Sequence, residues 1–303
     1  MSGARSGALE RRRIARRFSE VAPHYDEHAF LQKLVRDELL GRVREFALTP
    51  RRVLDLGAGT GHGARALKQC FDRAVVVAVD FAPGMLHAAG ERLGWRERLW
   101  GGRLGSRFER LCADACALPF ASDAFDLVFS NLMLQWCDDP DAALAEIRRV
   151  LVPGGLLLFS SFGPRTLQEL RGAWAAVDER PHVNEFIDMH DLGGALARAG
   201  FSEPVLDVDV HELRYATSRD LMRDLQLIGA RNAARERARG LTGRHAFAKM
   251  TAHYEQLRSD DALPATFEVV YGAAFAAERA VTGGAAPERG EVIVPVSAIG
   301  RRA

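Results

Sequence analysis

The sequence is poor in cysteine, in net charge and in long apolar runs, and each shortage excludes a class of protein. Its four cysteines lack the paired spacing of zinc sites, so we expect reduced thiols, no metal and a cytoplasmic location. A net charge of +1 over 303 residues argues against a dedicated nucleic-acid-binding protein. No apolar run approaches the roughly 20 residues of a membrane span, so no membrane partner is expected.

What the sequence does contain is a glycine-rich stretch at residues 51–63, which reads Arg-Arg-Val-Leu-Asp-Leu-Gly-Ala-Gly-Thr-Gly-His-Gly. Its apolar start is typical of a buried parallel strand, and the composition of residues 64–71 predicts a helix after the turn. Gly57, Gly59 and Gly61 leave room where the backbone bends and where a ligand comes close. The start of the helix offers N–H groups to an anionic group. The stretch therefore predicts a loop for a nucleotide-containing cofactor.

Two cofactors are compatible with this loop. The dinucleotide fingerprint G-x-G-x-x-G/A can be placed from Gly59 through Gly61 to Ala64, but the glycines then begin late after the strand. The alternative is S-adenosylmethionine, for which Asp55 stands two positions before the first glycine. A carboxylate there attracts the ammonium of the methionine end and repels a pyrophosphate. The loop alone leaves both interpretations open.

Strands and helices alternate along the chain. Seven strands are predicted, near residues 53–56, 74–80, 108–114, 124–131, 156–161, 205–210 and 265–271. This alternation predicts a Rossmann-like, doubly wound α/β fold with a seven-stranded sheet and ligands at the carboxyl ends of the strands. We expect an N-terminal helical segment (1–45), a main domain (46–275) and a C-terminal tail (276–303). Residues 217–263 are mostly helical and predict a cap between the last two strands.

Polar residues stand at or near the ends of four predicted strands. They are Asp55, Asp80, Asp114 and Asn131. Asp80 follows Gly57 by about the 20 residues expected of a carboxylate that accepts the ribose hydroxyls. Asp114 is placed to accept a hydrogen bond from an adenine amino group, although capping of its own loop is the alternative. Four such positions at one sheet edge point to a binding site more strongly than the glycine loop alone.

The N-terminal segment is basic and helical in composition. Residues 1–18 hold six arginines against one acid, which favours a solvated basic helix over the alternative of a targeting peptide. Tyr25 and Asp26 follow Pro23 at the entry to a second helical stretch. That stretch has a roughly aligned apolar stripe that we expect to pack on the main domain: Leu31, Leu34, Val35, Leu39 and Val43.

The segment Asp-Leu-Gly-Ala-Gly-Thr-Gly at residues 55–61 resembles the first motif of class I S-adenosylmethionine-dependent methyltransferases. Many of these enzymes have a Tyr-Asp stretch that closes over the cofactor, as Tyr25 and Asp26 would here. The resemblance implies S-adenosylmethionine as cofactor and a set of binding residues: Asp55, Gly57, Gly59, Gly61, Asp80, Asp114 and Asn131.

Further segments are similar to the malonyl-[acyl-carrier-protein] O-methyltransferases of biotin synthesis, from about residue 14 to residue 271. The matching stretches are residues 130–136, 173–182 with Asn184, 221–230 and 241–243. The resemblance implies methyl transfer to the free carboxylate of a malonyl thioester, carried by acyl carrier protein or coenzyme A. Related assembly factors, one of them an arginine hydroxylase, share the layout and remain an alternative. So does a methyltransferase acting on another small carboxylate. At Gln226 the family often has Lys.

The chemistry of this reaction indicates which side chains to seek. A malonyl carboxylate is ionised at pH 7, so no general base is needed, only alignment and exclusion of water. We expect an arginine to hold it, and Arg223 is the first choice because it lies among apolar residues of the cap; a salt bridge is its alternative role. Tyr25 and Asn131 are supporting catalytic candidates. His182 and Asn184 are substrate-binding candidates, with a structural hydrogen bond favoured for His182.

A carrier protein is expected to be acidic, so basic residues of this chain should steer its approach. The arginines expected to do so follow the first cap helix: Arg231, Arg235, Arg237 and Arg239.

Overall fold

The computed structural model describes residues 11–91, 108–229 and 243–277, which form a seven-stranded sheet and the helices that pack around it. The helices are α1 (Arg11–Val21), α2 (Tyr25–His28), α3 (Phe30–Val43), α4 (His62–Cys70), α5 (Pro83–Glu91), α6 (Pro140–Val150), α7 (Gln168–Ala175), α8 (Met189–Arg198), α9 (Ser218–Leu227) and α10 (Arg244–Glu255). The strands are β1 (Arg52–Leu56), β2 (Val75–Asp80), β3 (Glu109–Cys112), β4 (Phe125–Ser130), β5 (Leu151–Phe162), β6 (Phe201–Tyr215) and β7 (Leu263–Ala276).

The sheet has the strand order β3-β2-β1-β4-β5-β7-β6. Strands β1 to β5 run parallel, and β7 is antiparallel to both of its neighbours. The predicted doubly wound α/β fold is therefore confirmed. The chain first winds outward from β1 to β3 and then returns to β4, so the order reverses between β1 and β4. Ligands of such sheets bind in the crevice that opens at this reversal.

Each face of the sheet is covered by its own apolar core. Val53 and Leu54 are consecutive in β1 and completely buried, yet they belong to opposite cores because successive strand residues point to opposite faces. The core around Val53 includes residues of α3, α4, α7, α9 and α10, whereas that around Leu54 includes residues of α6 and α8. Burial on both faces explains why β1 and β2 read as nearly continuous apolar runs.

The N-terminal helices pack on this domain. In α3 the buried line consists of Leu31, Val35, Leu39 and Val43, as the periodicity predicts. The inclusion of Leu34 in that stripe was wrong, since its exposure is 42%. Residues spaced by four are rotated by about 40° around the helix axis at each step, and in α3 this rotation carries the buried line away from Leu34.

The last two strands are longer than predicted, because they pair with each other from Phe201 to Tyr215 of β6 and from Leu263 to Ala276 of β7. Gly200, at φ +87°, ends the turn after α8, which confirms it as a helix C-terminal cap. Helices α9 and α10 lie between β6 and β7, as expected for the cap. All four cysteines are free thiols.

Several sequence-based expectations lie outside the described residues. These are the arginines at 231, 235, 237 and 239 and the tail beyond residue 277. The division into segments 1–45, 46–275 and 276–303 stays a prediction.

Candidate active site

The glycine loop lies at the carboxyl end of β1, beside the reversal of strand order. Gly57, Gly59 and Gly61 all have positive φ, at +79°, +53° and +79°, so all three have the backbone conformation that favours glycine. A Cβ on Gly57 would also lie 2.5 Å from the side chain of Met133. Helix α4 starts directly after the loop, at His62. The loop forms one wall of a cleft of about 320 Å³.

Asp55 lies at the base of this cleft with its carboxylate almost entirely buried, at 2% exposure. Its Oδ2 atom has no hydrogen-bond partner in the described chain. Burial raises the pKa of Asp55 to about 7; the backbone N–H of Ala64 and the cation of Arg36 act against the rise, and Asp80 adds to it. A buried oxygen without a donor is suited to receive the ammonium of a ligand.

Asp80 ends β2 and holds the loop in shape. Its Oδ2 accepts a hydrogen bond from the N–H of Gly59 at 2.8 Å, and its Oδ1 accepts one from the N–H of Ala82 at 2.8 Å. Burial raises its pKa to about 6, and these N–H groups limit the rise. Each carboxylate oxygen has a second acceptor position, so Asp80 can still receive the hydroxyls of a ribose.

A second part of the cleft, of about 250 Å³, lies on the other side of Gly57 and Asp80. Asp114 is in its lining, as the prediction for an adenine site requires. The Oδ1 of Asp114 accepts a hydrogen bond from Cys116 N at 2.9 Å, which is a loop-capping contact. Its Oδ2 receives the guanidinium of Arg11 at 2.7 Å. Both roles considered for Asp114 are therefore compatible with its position.

Residues 11–28, here called the lid segment, cover the cleft. Tyr25 and Asp26 are both in the lining, as the Tyr-Asp resemblance implies. Asp26 reaches the glycine loop: its carboxylate accepts a hydrogen bond from Thr60 Oγ1 at 2.6 Å and lies 2.8 Å from His62 Nε2. Burial and the carboxylates of Asp80 and Asp26 raise the pKa of Tyr25, so its hydroxyl stays protonated.

Asn131 follows β4 and also lines the cleft. Its Oδ1 accepts a hydrogen bond from Ser160 Oγ at 2.9 Å, and its Nδ2 donates to the Gln32 carbonyl at 3.1 Å. Asn131 thereby joins β5 to α3 and holds the wall of the cleft in position.

A separate cavity of about 390 Å³ adjoins the cofactor cleft. Trp136, Phe162 and Ile228 line both spaces and form the wall between them. His182 and Asn184, predicted to bind substrate, line this second cavity. The structure thus brings the candidate cofactor and substrate residues to adjoining spaces.

His182 makes the structural contacts that were favoured for it. Its Nε2 lies 2.8 Å from Asp178 Oδ1, and its ring stacks on Trp174 with centroids 3.8 Å apart. The imidazole therefore shapes the wall of the cavity.

The predicted setting of Arg223 is wrong. It lies on α9 as expected, but its side chain is exposed, whereas Met222, Leu225 and Gln226 of the same helix line the cavity. Leu221 and Leu225 are buried and form the inner side of α9, whereas Arg223 is rotated by about 200° from Leu221 and lies on the outer side. Its role in holding a carboxylate stays an untested prediction.

Sequence reasoning missed three arginines near the site. Arg36 of α3 lines the cofactor cleft with its side chain only 15% exposed, and Arg13 and Arg17 of α1 line the second cavity. The basic composition of α1 favoured a solvated helix. The spacing of Ile14 and Phe18, four residues apart, could have indicated that one face of α1 packs against the protein.

The residues present fit S-adenosylmethionine. The buried Oδ2 of Asp55 suits its ammonium, and the glycine loop leaves space beside Asp80. Arg36, which also pairs with Asp37 at 2.7 Å, offers a cation for the carboxylate of the cofactor. Over residues 11–91, 108–229 and 243–277, no group of three or more potential ligand side chains could hold a metal ion. No helix within those ranges is both long and apolar enough to cross a membrane.

Fold and site together define a class I S-adenosylmethionine-dependent methyltransferase. Residues 54–159 match the model of a methyltransferase domain. The solved structure of the YcgJ protein from Bacillus subtilis shares the fold, with a TM-score of 0.55, 18% identity and coverage of 80% of this chain and 99% of that one. The cofactor that the glycine loop left open is therefore S-adenosylmethionine.

More closely related sequences identify the family within this class to which the chain belongs. The chain is 45% identical to a malonyl-[acyl-carrier protein] O-methyltransferase from Gallionella capsiferriformans, over 88% of this chain and 91% of that protein. It is 44% identical to a protein of the same name from Halorhodospira halophila, over 97% of each. The chain belongs to the malonyl-[acyl-carrier protein] O-methyltransferase family.

Proposed function

We propose that this chain transfers a methyl group from S-adenosylmethionine to the free carboxylate of a malonyl thioester on acyl carrier protein. The methyl ester would disguise that carboxylate, so that fatty-acid synthesis can extend it towards the pimeloyl precursor of biotin. The observation that carries the proposal is the pair of adjoining spaces, which share a wall of Trp136, Phe162 and Ile228. Two reactants held in adjoining spaces can be aligned for direct transfer.

The reaction requires little of the protein beyond the positioning of the two reactants. The cofactor, when bound, supplies a methyl group on a positively charged sulfur, which is a good leaving group. The malonyl carboxylate is already ionised at pH 7, so no side chain has to remove a proton. The apolar walls around Trp136 and Phe162 exclude water from a nucleophile that is otherwise well hydrated.

Each cofactor-facing residue receives a role on this proposal. Asp55 binds the ammonium of the methionine end, and Arg36 binds its carboxylate. Asp80 accepts the ribose hydroxyls, and Asp114 accepts from the adenine amino group. The glycine loop brings its backbone close to the ligand.

Four predicted residues belong to the side where the methyl group is received. Tyr25, a protonated residue of the lid segment, and Asn131, fixed by Ser160, line the cofactor cleft. His182 and Asn184 line the second cavity.

The thioester carrier and the role of Arg223 are tested on malonyl-acyl carrier protein and malonyl-coenzyme A in parallel. If Arg223 forms a two-bond contact with the carboxylate, Arg223→Lys loses most activity on both substrates, because Lys cannot reproduce the fork. Near-normal methylation rates for Arg223→Lys would show that Arg223 does not bind the carboxylate.

The predicted carrier patch at residues 231, 235, 237 and 239 is tested by neutralising its four arginines. This should slow only the carrier-protein reaction, and more so at low salt. Equal losses of methylation rate on both thioesters would show that these arginines do not bind the carrier protein. A cytoplasmic location stays a prediction from the cysteine pattern.

The proposed function is tested by growth rescue of a biotin auxotroph that lacks the malonyl methyl ester activity. Rescue by the intact chain, and loss of rescue with Asp55→Ala, is the expected result. A folded protein that binds S-adenosylmethionine but neither rescues growth nor methylates a malonyl thioester would favour the alternatives, an assembly factor or a methyltransferase for another small carboxylate.

A further inference from the structure

The cavity beside the cofactor cleft has an uneven charge. Arg13 and Arg17 both belong to its lining, and no Asp or Glu of the described residues does. Most of the remaining wall is apolar, including Phe162, Leu170 and Phe267. Two guanidinium groups on a largely apolar wall attract an anion, whose burial among apolar groups is costly unless it is paired.

Helix α1 is held so that these arginines face the cavity. At its start, Arg11 pairs with Asp114 at 2.7 Å. Near its end, the ring of Phe18 packs edge-on against Trp136, with centroids 5.1 Å apart, and Ser19 Oγ accepts from the Gly84 N–H at 3.1 Å. These contacts lie on both sides of Arg13 and Arg17, which are one turn apart on the helix.

The contact between Phe18 and Trp136 places Arg13 and Arg17 near the wall between the cofactor cleft and the second cavity. Trp136 lines the cofactor cleft, its adenine side and the second cavity alike. A carboxylate held by Arg13 and Arg17 would therefore lie beside the wall that separates the two reactants.

We propose that Arg13 and Arg17 together bind the carboxylate of the malonyl substrate and orient it towards the methyl group. This inference rests on the proposed function, since it names the groups that recognise that substrate. Guanidinium groups bind carboxylates through paired hydrogen bonds, which fix direction as well as position. Arg36 lines the cofactor cleft and is distinct from this pair.

The first experiment measures methylation of malonyl-coenzyme A by the whole chain. Arg13→Gln and Arg17→Gln should each lower kcat/KM by about 10- to 150-fold, the effect of losing a hydrogen bond to a charged group. The dissociation constant of S-adenosylmethionine, measured by calorimetry, should change less than about twofold. The matched control is Arg12→Gln with Arg16→Gln, on the same helix but exposed, for which kcat/KM should stay near wild type. A near-wild-type rate for Arg13→Gln/Arg17→Gln would overturn the proposal.

The second experiment needs neither turnover nor a variant. Wild-type protein is treated with an arginine-selective dicarbonyl reagent, with and without malonate, and each arginine is mapped by mass spectrometry. Malonate should protect Arg13 and Arg17 but leave Arg12 and Arg16 reactive. Equal protection of all four, or of none, would overturn the proposal. If the wild type protects this pair but methylates no malonyl thioester, the proposed function fails while the anion site stands.

Discussion

The hydroxyl of Thr60 in the glycine loop donates a 2.6 Å hydrogen bond to the carboxylate of Asp26 in the lid segment. This contact connects the part of the chain that surrounds the cofactor to the part that covers it. The second oxygen of Asp26 meets His62 at the start of α4, so one carboxylate joins the lid to both the loop and the helix.

Asp26→Ala should therefore weaken cofactor binding. Without its contacts to Thr60 and His62, the closed lid loses stabilisation, and we expect the dissociation constant of S-adenosylmethionine to rise about tenfold. Isothermal calorimetry measures this directly. Glu27→Ala is the matched control, since Glu27 is the exposed neighbouring acid and its carboxylate lies 3.5 Å from His24 Nδ1. Equal affinities for the two variants would show that the Asp26 contacts do not govern closure.

Two glycines of the loop should respond differently to alanine. At Gly57 a Cβ would meet the side chain of Met133 at 2.5 Å in addition to the strain of a positive φ. At Gly59 it would meet no atom of the other described residues within 4 Å, apart from the adjoining residues of the chain. Gly59→Ala should cost about 1–2 kcal/mol from the backbone alone, and Gly57→Ala about 1–3 kcal/mol more from overpacking. Thermal unfolding without cofactor measures both. A Gly59→Ala protein as unstable as Gly57→Ala would contradict this account.

Cofactor affinity should depend on pH through Asp55. In the free protein burial raises its pKa to about 7, and a bound ammonium would lower it again, so binding near pH 6.5 should release protons. Affinity should then increase as the pH rises from about 5 to 7 and level off above the pKa of the free carboxyl. Calorimetry in buffers of different ionisation enthalpy counts the protons. Asp55→Asn should reduce the pH dependence to the part contributed by Asp80, whose pKa is raised to about 6, and a wild type that releases no protons would refute the ammonium contact.

Asp80→Ala should raise the dissociation constant of S-adenosylhomocysteine about 10- to 150-fold, because the ribose loses a charged acceptor. The hydrogen bond from Gly59 to Asp80 means that the loop is disturbed as well. An analogue without the ribose hydroxyls separates the two effects. The wild type should bind this analogue more weakly than it binds S-adenosylhomocysteine. Asp80→Ala should bind the two ligands about equally. If hydroxyl removal costs both proteins equally, Asp80 only shapes the loop.

Local pattern predicted much of the molecule. The apolar runs of β1 and β2, the glycines with positive φ and the acids after the strands follow from residues adjacent in sequence. Parallel strands must bring their carboxyl ends to one edge of the sheet. Asp55, Asp80, Asp114 and Asn131 could therefore be assigned to one site before their contacts were known. The helical spacing of α3 was predictable in the same way, with Leu34 as its exception.

Tertiary structure decided which arginines face the substrate side. The sequence of α9 places Arg223 among apolar neighbours, but only the packing of α9 reveals that Leu221 and Leu225 are buried while Arg223 is exposed. The six arginines of residues 1–18 predict a solvated helix by composition, yet Phe18 packs on Trp136, more than 100 residues away. Helical periodicity determines which residues share a face, whereas the partner that covers a face depends on long-range packing. Arg13 and Arg17 thus reach the cavity through contacts that no local pattern encodes.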